Sequence, residues 1–283
     1  MNLLEYLKNR YPFKDDTWLN NLDNRKKEES HFHDFQRGGD DLQHQRDLHV
    51  NDNLKFYKIV GKSKSYVRGW LRRNVLGKVF LDYACGEGRH STDILEHSKP
   101  TVVGIDISAE AIRQVTEKVK NGGFSQAYFV QGDCEHTEFP DNVFDVILCS
   151  EMLHHLELEN AFKELYRILA PGGCVLCVEA LGINSLIQWY RKHTPQSRTA
   201  FEQEHILTLK AFDVAKNCGF AIESVRFWHL FAIPAAFFVK IPFIFKPLLA
   251  VGNILDSIFL KIPYIQRLAW QFTFILKKSY SSK

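Results

Sequence analysis

The 283-residue sequence predicts an α/β fold in which helices cover a parallel sheet, and three observations support this prediction. From residue 78 onward, short apolar runs alternate with segments of helical periodicity, which is typical of repeated βα units. The first apolar run, 79–83, leads into a turn that contains Gly86 and Gly88 and then into a helix. A second apolar run ends in Asp106, about 20 residues later, which is the spacing of a nucleoside-binding βαβ unit.

Seven strands are predicted from apolar runs, and the helices between them from apolar stripes with a period of about 3.6 residues. The predicted strands are 79–83, 101–107, 126–130, 143–149, 174–180, 220–228 and 268–277. The predicted helices of the same region are 89–97, 109–121, 157–170 and 208–218. Strands that alternate with helices are parallel, so ligands are expected at the carboxyl ends of the strands.

The βα pattern is flanked and interrupted by segments of different composition. The polar N-terminal region is predicted to be a lid, with short helices at 3–8 and 18–22 and a longer helix at 56–76. A long polar connection, 181–207, is predicted to be a second part of the lid. The predicted regions are an N-terminal lid or cap segment (1–77), a core (78–230), an apolar, basic helical insertion (231–267), and the last strand with a tail (268–283).

The insertion 231–267 is rich in Phe, Ile and Leu. Lys240, Lys246 and several prolines interrupt it, so no run of about 18 uncharged apolar residues occurs and no transmembrane helix is predicted. Two interpretations stay open for this segment. It is either a helical pair buried against the domain or a partner subunit, or an amphipathic anchor that lies in the plane of a membrane surface.

Composition restricts the partners of the chain. Its 45% apolar and 24% charged residues are ordinary for a globular protein. The formal net charge is only +3, so no nucleic-acid partner is predicted. Residues 231–283, however, carry seven Lys or Arg side chains against one acidic residue, Asp256. This basic and aromatic end favours peripheral contact with an anionic membrane.

Neither a disulfide framework nor a metal site is predicted. Most of the six cysteines fall in predicted strands or near strand ends, and Cys174 and Cys177 are at an odd offset, which directs them to opposite faces of a strand. The cluster 31–35, with two histidines, is interpreted as a surface or lid segment with solvated histidines. Residues 1–10 are charged and lack an apolar signal core, so a cytoplasmic location, or a peripheral one on the inner face of the membrane, is expected.

Several segments resemble, in order, the motifs of class I S-adenosylmethionine (SAM) methyltransferases. They match most closely the branch of the ubiquinone/menaquinone (type 11) methyltransferases, over about residues 78–180. The resemblance implies a Rossmann-like sheet of seven strands with the last one antiparallel, helices on both faces, and SAM as the cofactor. NAD fits less well, because position 91 is Ser and not a third glycine. The matching segments are LDYACGEG (81–88), GIDIS (104–108), GD (132–133), FDVI (144–147), HHL (154–156) and LAPGG (169–173).

The resemblance also implies which residues bind SAM. Asp82 is expected to receive the amino group, and Asp106 to accept both ribose hydroxyls, because a carboxylate offers two oxygens to a diol. Ala84 stands where the family has a glycine. An alanine costs little there if φ is negative, so an altered detail of the loop is expected and not a loss of binding. The complete predicted set is Asp82, Ala84, Cys85, Gly86, Gly88, Asp106, Ile107, Asp133, Cys134 and Ser150.

Methyl transfer is an in-line displacement for which positioning does most of the work, and a base is needed only when the acceptor is a hydroxyl or an acidic carbon. His154 and His155 follow the fourth predicted strand and are the predicted catalytic candidates. The substrate-side candidates are Glu151, Arg191, Arg198, Glu204 and His205.

The expected function is therefore SAM-dependent methyl transfer to a small amphiphilic or membrane-derived acceptor, such as a quinone precursor, a lipid or a lipid-linked sugar. Two alternatives stay open. One is a soluble natural-product or sugar methyltransferase that uses the insertion 231–267 as a homodimer face. The other is a subunit that keeps the SAM fold and serves only in binding.

Overall fold

The computed structural model describes residues 3–10, 12–37, 55–194 and 199–278, and in this part of the chain seven strands form one sheet. The order across the sheet is β3-β2-β1-β4-β5-β7-β6. The first five strands are parallel, and β7 is antiparallel to both of its neighbours, which confirms the predicted sheet. The strands are β1 (Val79–Tyr83), β2 (Thr101–Asp106), β3 (Ala127–Gln131), β4 (Phe144–Ser150), β5 (Leu169–Ala180), β6 (Phe220–Trp228) and β7 (Gln271–Lys278).

Helices cover both faces of this sheet. Two short 3₁₀ turns, Leu153–His155 and Ile233–Phe238, accompany them. The α-helices of the described part are α1 (Leu3–Asn9), α2 (Asp16–Asn21), α3 (Asn24–Arg37), α4 (Gly61–Asn74), α5 (Arg89–Ser98), α6 (Ala109–Asn121), α7 (Leu158–Ile168), α8 (Ser185–Lys192), α9 (Ala200–Glu204), α10 (Ala211–Asn217), α11 (Pro242–Phe259) and α12 (Pro263–Gln266).

The central strands are buried on both faces, which explains why they read as continuous apolar runs. Leu81 and Tyr83 of β1 belong to the core on the side of α7, together with Phe162. Phe80 lies in the second core, on the side of α5 and α6, together with Ile112. The residues alternate between these two cores because successive strand side chains point to opposite faces.

The structure corrects several predicted boundaries. β5 begins at Leu169, not at residue 174, because Leu169 pairs with Phe144 before an irregularity in the register. The helix predicted at 157–170 therefore ends at Ile168. The helix predicted at 56–76 is interrupted, because residues 55–57 are helical, a turn follows at 58–60, and α4 begins at Gly61. Helix α3 was not predicted, since its polar sequence offers little apolar periodicity.

Among the described residues, one helix, α11, has the length and composition that would allow it to cross a membrane. It has 18 residues with a mean hydropathy of 1.3, and 11% of them are buried. The helix meets these criteria in spite of Lys246 and Asp256, which interrupt its apolar run, so the expectation that no transmembrane helix exists stays a prediction. Length and composition alone do not distinguish a spanning helix from one that lies along a surface.

One face of α11 is packed on the domain. The Asp256 carboxylate accepts hydrogen bonds from the backbone of Leu230 and Phe231, at 3.0 and 2.7 Å. Lys62 of α4 donates to the Asn253 carbonyl at 2.6 Å. A side chain at Gly252 would collide with the Phe231 carbonyl, at 2.5 Å. The helix therefore lies along the protein surface and leaves its opposite face exposed.

All six cysteines are within the described residues and all are free, which confirms that they form no disulfide framework. Cys174 and Cys177 belong to the cores on opposite faces of the sheet, as their offset predicted.

Candidate functional site

A cavity of about 320 Å³ lies at the carboxyl ends of β1 and β4, where the strand order reverses. From β1 the chain proceeds to β2 and β3 on one side, whereas β4 pairs with β1 on the other side. Such a reversal separates the loops on either side of it, and open α/β sheets bind ligands in the resulting crevice. Nine of the ten residues predicted to bind the cofactor line this cavity, and Gly88 does not.

The loop after β1 uses left-handed backbone at three positions. The φ angles of Ala84, Gly86 and Gly88 are 55°, 52° and 68°. The condition under which an alanine would cost little here, a negative φ at Ala84, is therefore not met. The loop is held in this shape by backbone hydrogen bonds, such as that from Cys85 to the Ile105 carbonyl at 2.9 Å. Because the surroundings fix its conformation, the loop can retain a strained alanine.

Gly88 shapes the loop without reaching the cavity. It is the N-cap of α5, and a β-carbon there would lie 2.1 Å from the Val115 Cγ2 atom. The structure gives Gly88 a packing role, in which the bare backbone lets α5 approach α6, and its predicted contact with the cofactor stays a prediction.

Ala84→Gly is expected to raise the free energy of unfolding by up to about 1 kcal/mol. A left-handed alanine costs about 1–2 kcal/mol, and the larger entropy of an unfolded glycine offsets part of the gain. Urea unfolding measures the effect, and Ala161→Gly, in the middle of α7, serves as the matched variant that loses about 1 kcal/mol or more. A less stable Ala84→Gly protein would contradict the φ angle described for this residue.

Two buried carboxylates stand at the ends of β1 and β2. Asp106 accepts backbone hydrogen bonds from Gly86 at 2.8 Å and from Ser108 at 2.9 Å, one on each oxygen. Asp82 accepts from the Ser91 hydroxyl at 2.7 Å and from the Ser91 backbone at 3.2 Å, both on Oδ2. Ser91, which replaces a third glycine, thus orients Asp82.

Burial shifts the protonation of Asp82. Removal from water raises its pKa from the ordinary value of 3.8 to about 7, although hydrogen bonds from Ser91 oppose the shift and the Asp106 charge adds to it. The folded state keeps this proton up to about pH 7, whereas the unfolded chain loses it near pH 4. The neutral Asp82 side chain therefore contributes its full stabilisation of the fold below about pH 4. That contribution declines as the pH rises from about 4 to about 7.

Affinity for S-adenosylhomocysteine (SAH) is expected to increase by up to about tenfold between pH 6 and pH 8. The ligand's ammonium group favours the ionised form of Asp82, so binding releases a proton wherever the free protein holds one. Calorimetry at both pH values, in buffers of different ionisation enthalpy, measures the affinity and the proton count. The affinity of Asp82→Asn for SAH is expected to stay the same across this pH range. An unchanged or weaker affinity of the wild-type protein at pH 8 would refute the assignment of Asp82 to the ammonium group.

Helix α3 lies over the far end of the cavity and contributes groups that the sequence did not reveal. Lys26 donates to the Asp133 Oδ2 atom at 2.8 Å, and the Glu135 backbone donates to Oδ1 at 2.8 Å. Arg25 pairs with Glu135 at 2.6 Å. Asp133 is therefore already engaged by α3, and a ligand that contacts it must share this carboxylate with Lys26.

The two predicted catalytic histidines have different surroundings. His154 does not line the cavity, and its Nδ1 atom lies 2.7 Å from the buried Glu179 carboxylate. Burial lowers the pKa of His154, but Glu179 outweighs it and raises the pKa overall. Glu179 also accepts from the backbone of Met152 and Leu153, so this pair anchors the 3₁₀ turn. Glu179 was not predicted, since a single acid inside an apolar strand carries no motif.

His155 lines the cavity and meets α3 there. Its Nδ1 atom is 3.0 Å from the Glu29 carboxylate, and His33 lies on the same carboxylate at 3.5 Å. Burial, and then the neighbouring His154, lower the pKa of His155 below its usual range. The prediction that His33 is a solvated surface residue is wrong, because α3 turns it into the cavity.

The other substrate-side candidates are dispersed. Glu151 lines the cavity and accepts a hydrogen bond from Gln271 at 3.0 Å. Arg191 does not line it and pairs with Glu202 at 2.8 Å. Glu204 and His205 are exposed outside it, so the structure does not support an acceptor-side position for them. Arg198 lies outside the described residues.

Part of the chain is similar in sequence to known proteins. Residues 81–177 match the family model of a methyltransferase domain. A sterol 24-C-methyltransferase of Aspergillus fumigatus is 32% identical over 120 residues, which are 42% of this chain and 32% of that protein. A demethylmenaquinone methyltransferase of Anoxybacillus flavithermus is 32% identical over 134 residues, which are 46% of this chain and 55% of that protein. The chain thus spans between a third and about half of the length of these relatives.

The fold is also found in solved structures. A phosphoethanolamine N-methyltransferase 2 of Haemonchus contortus, solved with phosphomonomethylethanolamine and SAH, matches with a TM-score of 0.55 and 17% identity, covering 84% of this chain and 59% of that one. Residues 81–177 are thus similar to a methyltransferase domain, as the ordered motifs of the sequence indicate.

Proposed function

We propose that this protein transfers the methyl group of SAM to a small lipophilic acceptor. The observation that carries the proposal is the placing of three carboxylates, those of Asp82, Asp106 and Asp133, around one cavity at the point where the strand order reverses. In this proposal Asp82 receives the ammonium group, Asp106 the ribose diol, and Asp133 the adenine edge beside Ile107. The glycine loop lets the backbone approach the methionine part.

The acceptor enters, in this proposal, beside His155 and Glu151. His155 is the predicted histidine that lines the cavity, whereas His154 holds the turn through Glu179. Methyl transfer to an already activated oxygen, nitrogen or carbon needs little besides alignment with the sulfonium. The chain's contribution is therefore to orient the two molecules and to keep water from between them.

A lipophilic acceptor is favoured by two considerations. The relatives are named for sterol and demethylmenaquinone substrates, which are both lipophilic. The exposed face of α11 carries Phe243, Val251, Ile254 and Ile258, which are 78%, 53%, 60% and 56% exposed. These positions share one side of the helix, since they recur at spacings near whole turns.

We further propose that this apolar face rests on an anionic membrane and draws the acceptor from it. Lys240, Lys246, Lys261 and Arg267 surround the apolar face, and all four are exposed. Asp256, the acid of this segment, is buried against the domain. Exposed apolar residues bordered by basic ones are the features of an in-plane membrane anchor. The protein is then expected at the inner face of the membrane.

Transfer of label from methyl-labelled SAM into the organic phase of a membrane lipid extract tests the proposed reaction. Label in the lipid fraction with the wild-type protein, and none with Asp106→Ala, is the expected result. SAH binding without transfer to any lipid or water-soluble extract would favour a binding subunit instead. Transfer only into water-soluble compounds would favour a soluble methyltransferase.

A further inference from the structure

Three side chains that could bind a metal ion, from two separate parts of the chain, meet at the acceptor end of the cavity. Glu29 and His33 lie one turn apart on α3, and His155 belongs to the 3₁₀ turn after β4. Their donor atoms all lie within 4.8 Å of one another. All three residues line the cavity, so an ion held there would be accessible to a bound molecule.

The separations match those of atoms that share a metal ion. The Glu29 Oε2 atom lies 3.0 Å from His155 Nδ1 and 3.5 Å from His33 Nε2. With metal–ligand bonds of about 2.1 Å, neighbouring ligands are about 3.0 Å apart in octahedral geometry and about 3.4 Å apart in tetrahedral geometry. The three atoms can therefore surround one ion with only small adjustments.

The carboxylate is oriented for this purpose. Thr199 donates its hydroxyl proton to Glu29 Oε1 at 2.6 Å, which leaves Oε2 for the two imidazoles. Within the described residues, neither Glu29 Oε2 nor His155 Nδ1 has an aligned hydrogen-bond partner, although both atoms are buried. The Glu29 side chain is only 6% exposed. A buried carboxylate oxygen and a buried imidazole nitrogen that face each other in this way are ready to bind a cation.

Two basic side chains of the same helix, Arg25 and Lys26, pair with carboxylates other than that of Glu29. Arg25 is paired with Glu135, and Lys26 with Asp133 and Glu135. A second grouping of His154, His155 and Glu202 is less suitable. In that grouping His154 is held by Glu179 and Glu202 by Arg191, so these side chains already have charged partners.

We propose that Glu29, His33 and His155 bind one divalent transition-metal ion. Two imidazoles and one carboxylate suit ions such as Zn²⁺, Co²⁺ or Fe²⁺ and leave coordination positions open. The ion would polarise an oxygen of the acceptor, and this role rests on the proposed function. The binding of the ion itself does not depend on the proposed methyl transfer.

Titration of Co²⁺ into untagged, chelator-treated protein tests the site, because Co²⁺ reports its coordination in the visible spectrum. One Co²⁺ per chain, displaced by Zn²⁺, is the expected result for the wild type. Glu29→Gln and His33→Gln are expected to weaken binding by about 100-fold or more, since each removes one of three ligands. His31→Gln, an exposed histidine on the same helix, is the matched control and is expected to bind as the wild type does.

Absence of stoichiometric Co²⁺ binding by the wild type would overturn the proposal. So would an equal loss in His31→Gln and His33→Gln, which would indicate adventitious binding along α3. Thermal unfolding of each variant shows whether it is folded, and the titration of wild type does not depend on any variant. SAH binding by the same preparation is measured separately, so that a failed metal site is distinguished from a failed cofactor site.

Discussion

Asp106→Ala is expected to reduce the affinity for SAH by at least about 100-fold while the protein stays folded. In the proposed binding mode this carboxylate accepts both ribose hydroxyls, and hydrogen bonds to a charged group contribute about 1.5–3 kcal/mol each. It also fixes Gly86 through a 2.8 Å hydrogen bond, so its loss loosens the loop that faces the cofactor. Calorimetry gives the affinity, and circular dichroism with thermal unfolding gives the folded state.

The matched control is Asp213→Ala, which removes an exposed carboxylate from the first turn of α10, outside the cavity lining. It is expected to leave SAH affinity within about twofold, because surface substitutions away from a site act weakly. An Asp106→Ala protein that is folded and binds SAH as tightly as the wild type would remove the ribose role from this residue.

The second large effect is expected on the exposed face of α11. A triple variant with Phe243→Ser, Ile254→Ser and Ile258→Ser is expected to bind anionic vesicles about 100-fold more weakly than the wild type. Each of these side chains contributes about 1 kcal/mol or more when it enters the interface, since full burial is worth about 1.5–3 kcal/mol. Vesicle flotation measures the bound fraction, and stability should change little because the three positions are exposed.

Leu76→Ser is the control for this experiment, because Leu76 is 71% exposed and lies outside the insertion. It is expected to float with vesicles as the wild type does. If the triple variant floated equally well, the membrane role of α11 would be wrong. If the wild type ignored vesicles and was instead a dimer that the triple variant separated, the apolar face would be a subunit interface.

The sheet and the cofactor end of the site could be predicted because both depend on local patterns. Strands buried on both faces must be apolar throughout, and Asp82 and Asp106 then mark the points where two of them end. The loop after β1 was recognisable from Gly86 and Gly88. Its conformation at Ala84 was not, because an alanine gives no indication of a positive φ that its surroundings impose.

The acceptor end could not be predicted because it depends on contacts between distant segments. Glu29 reaches Thr199 across 170 residues, and Arg25 reaches the His155 carbonyl across 130 residues. The polar helix α3 has no apolar stripe that would indicate which face packs on the domain. Ion pairs and hydrogen bonds hold it in place instead. For the same reason the sequence did not indicate that His33 lies beside His155 in the cavity.

Titration of the wild-type protein with SAH, with NAD⁺ as the comparison ligand, tests the central claim most directly. The cavity at the ends of β1 and β4 is expected to bind one SAH per chain, in competition with SAM, and to give no saturable binding of NAD⁺. Binding of NAD⁺ in place of SAH, or saturable binding of neither ligand, would contradict the account.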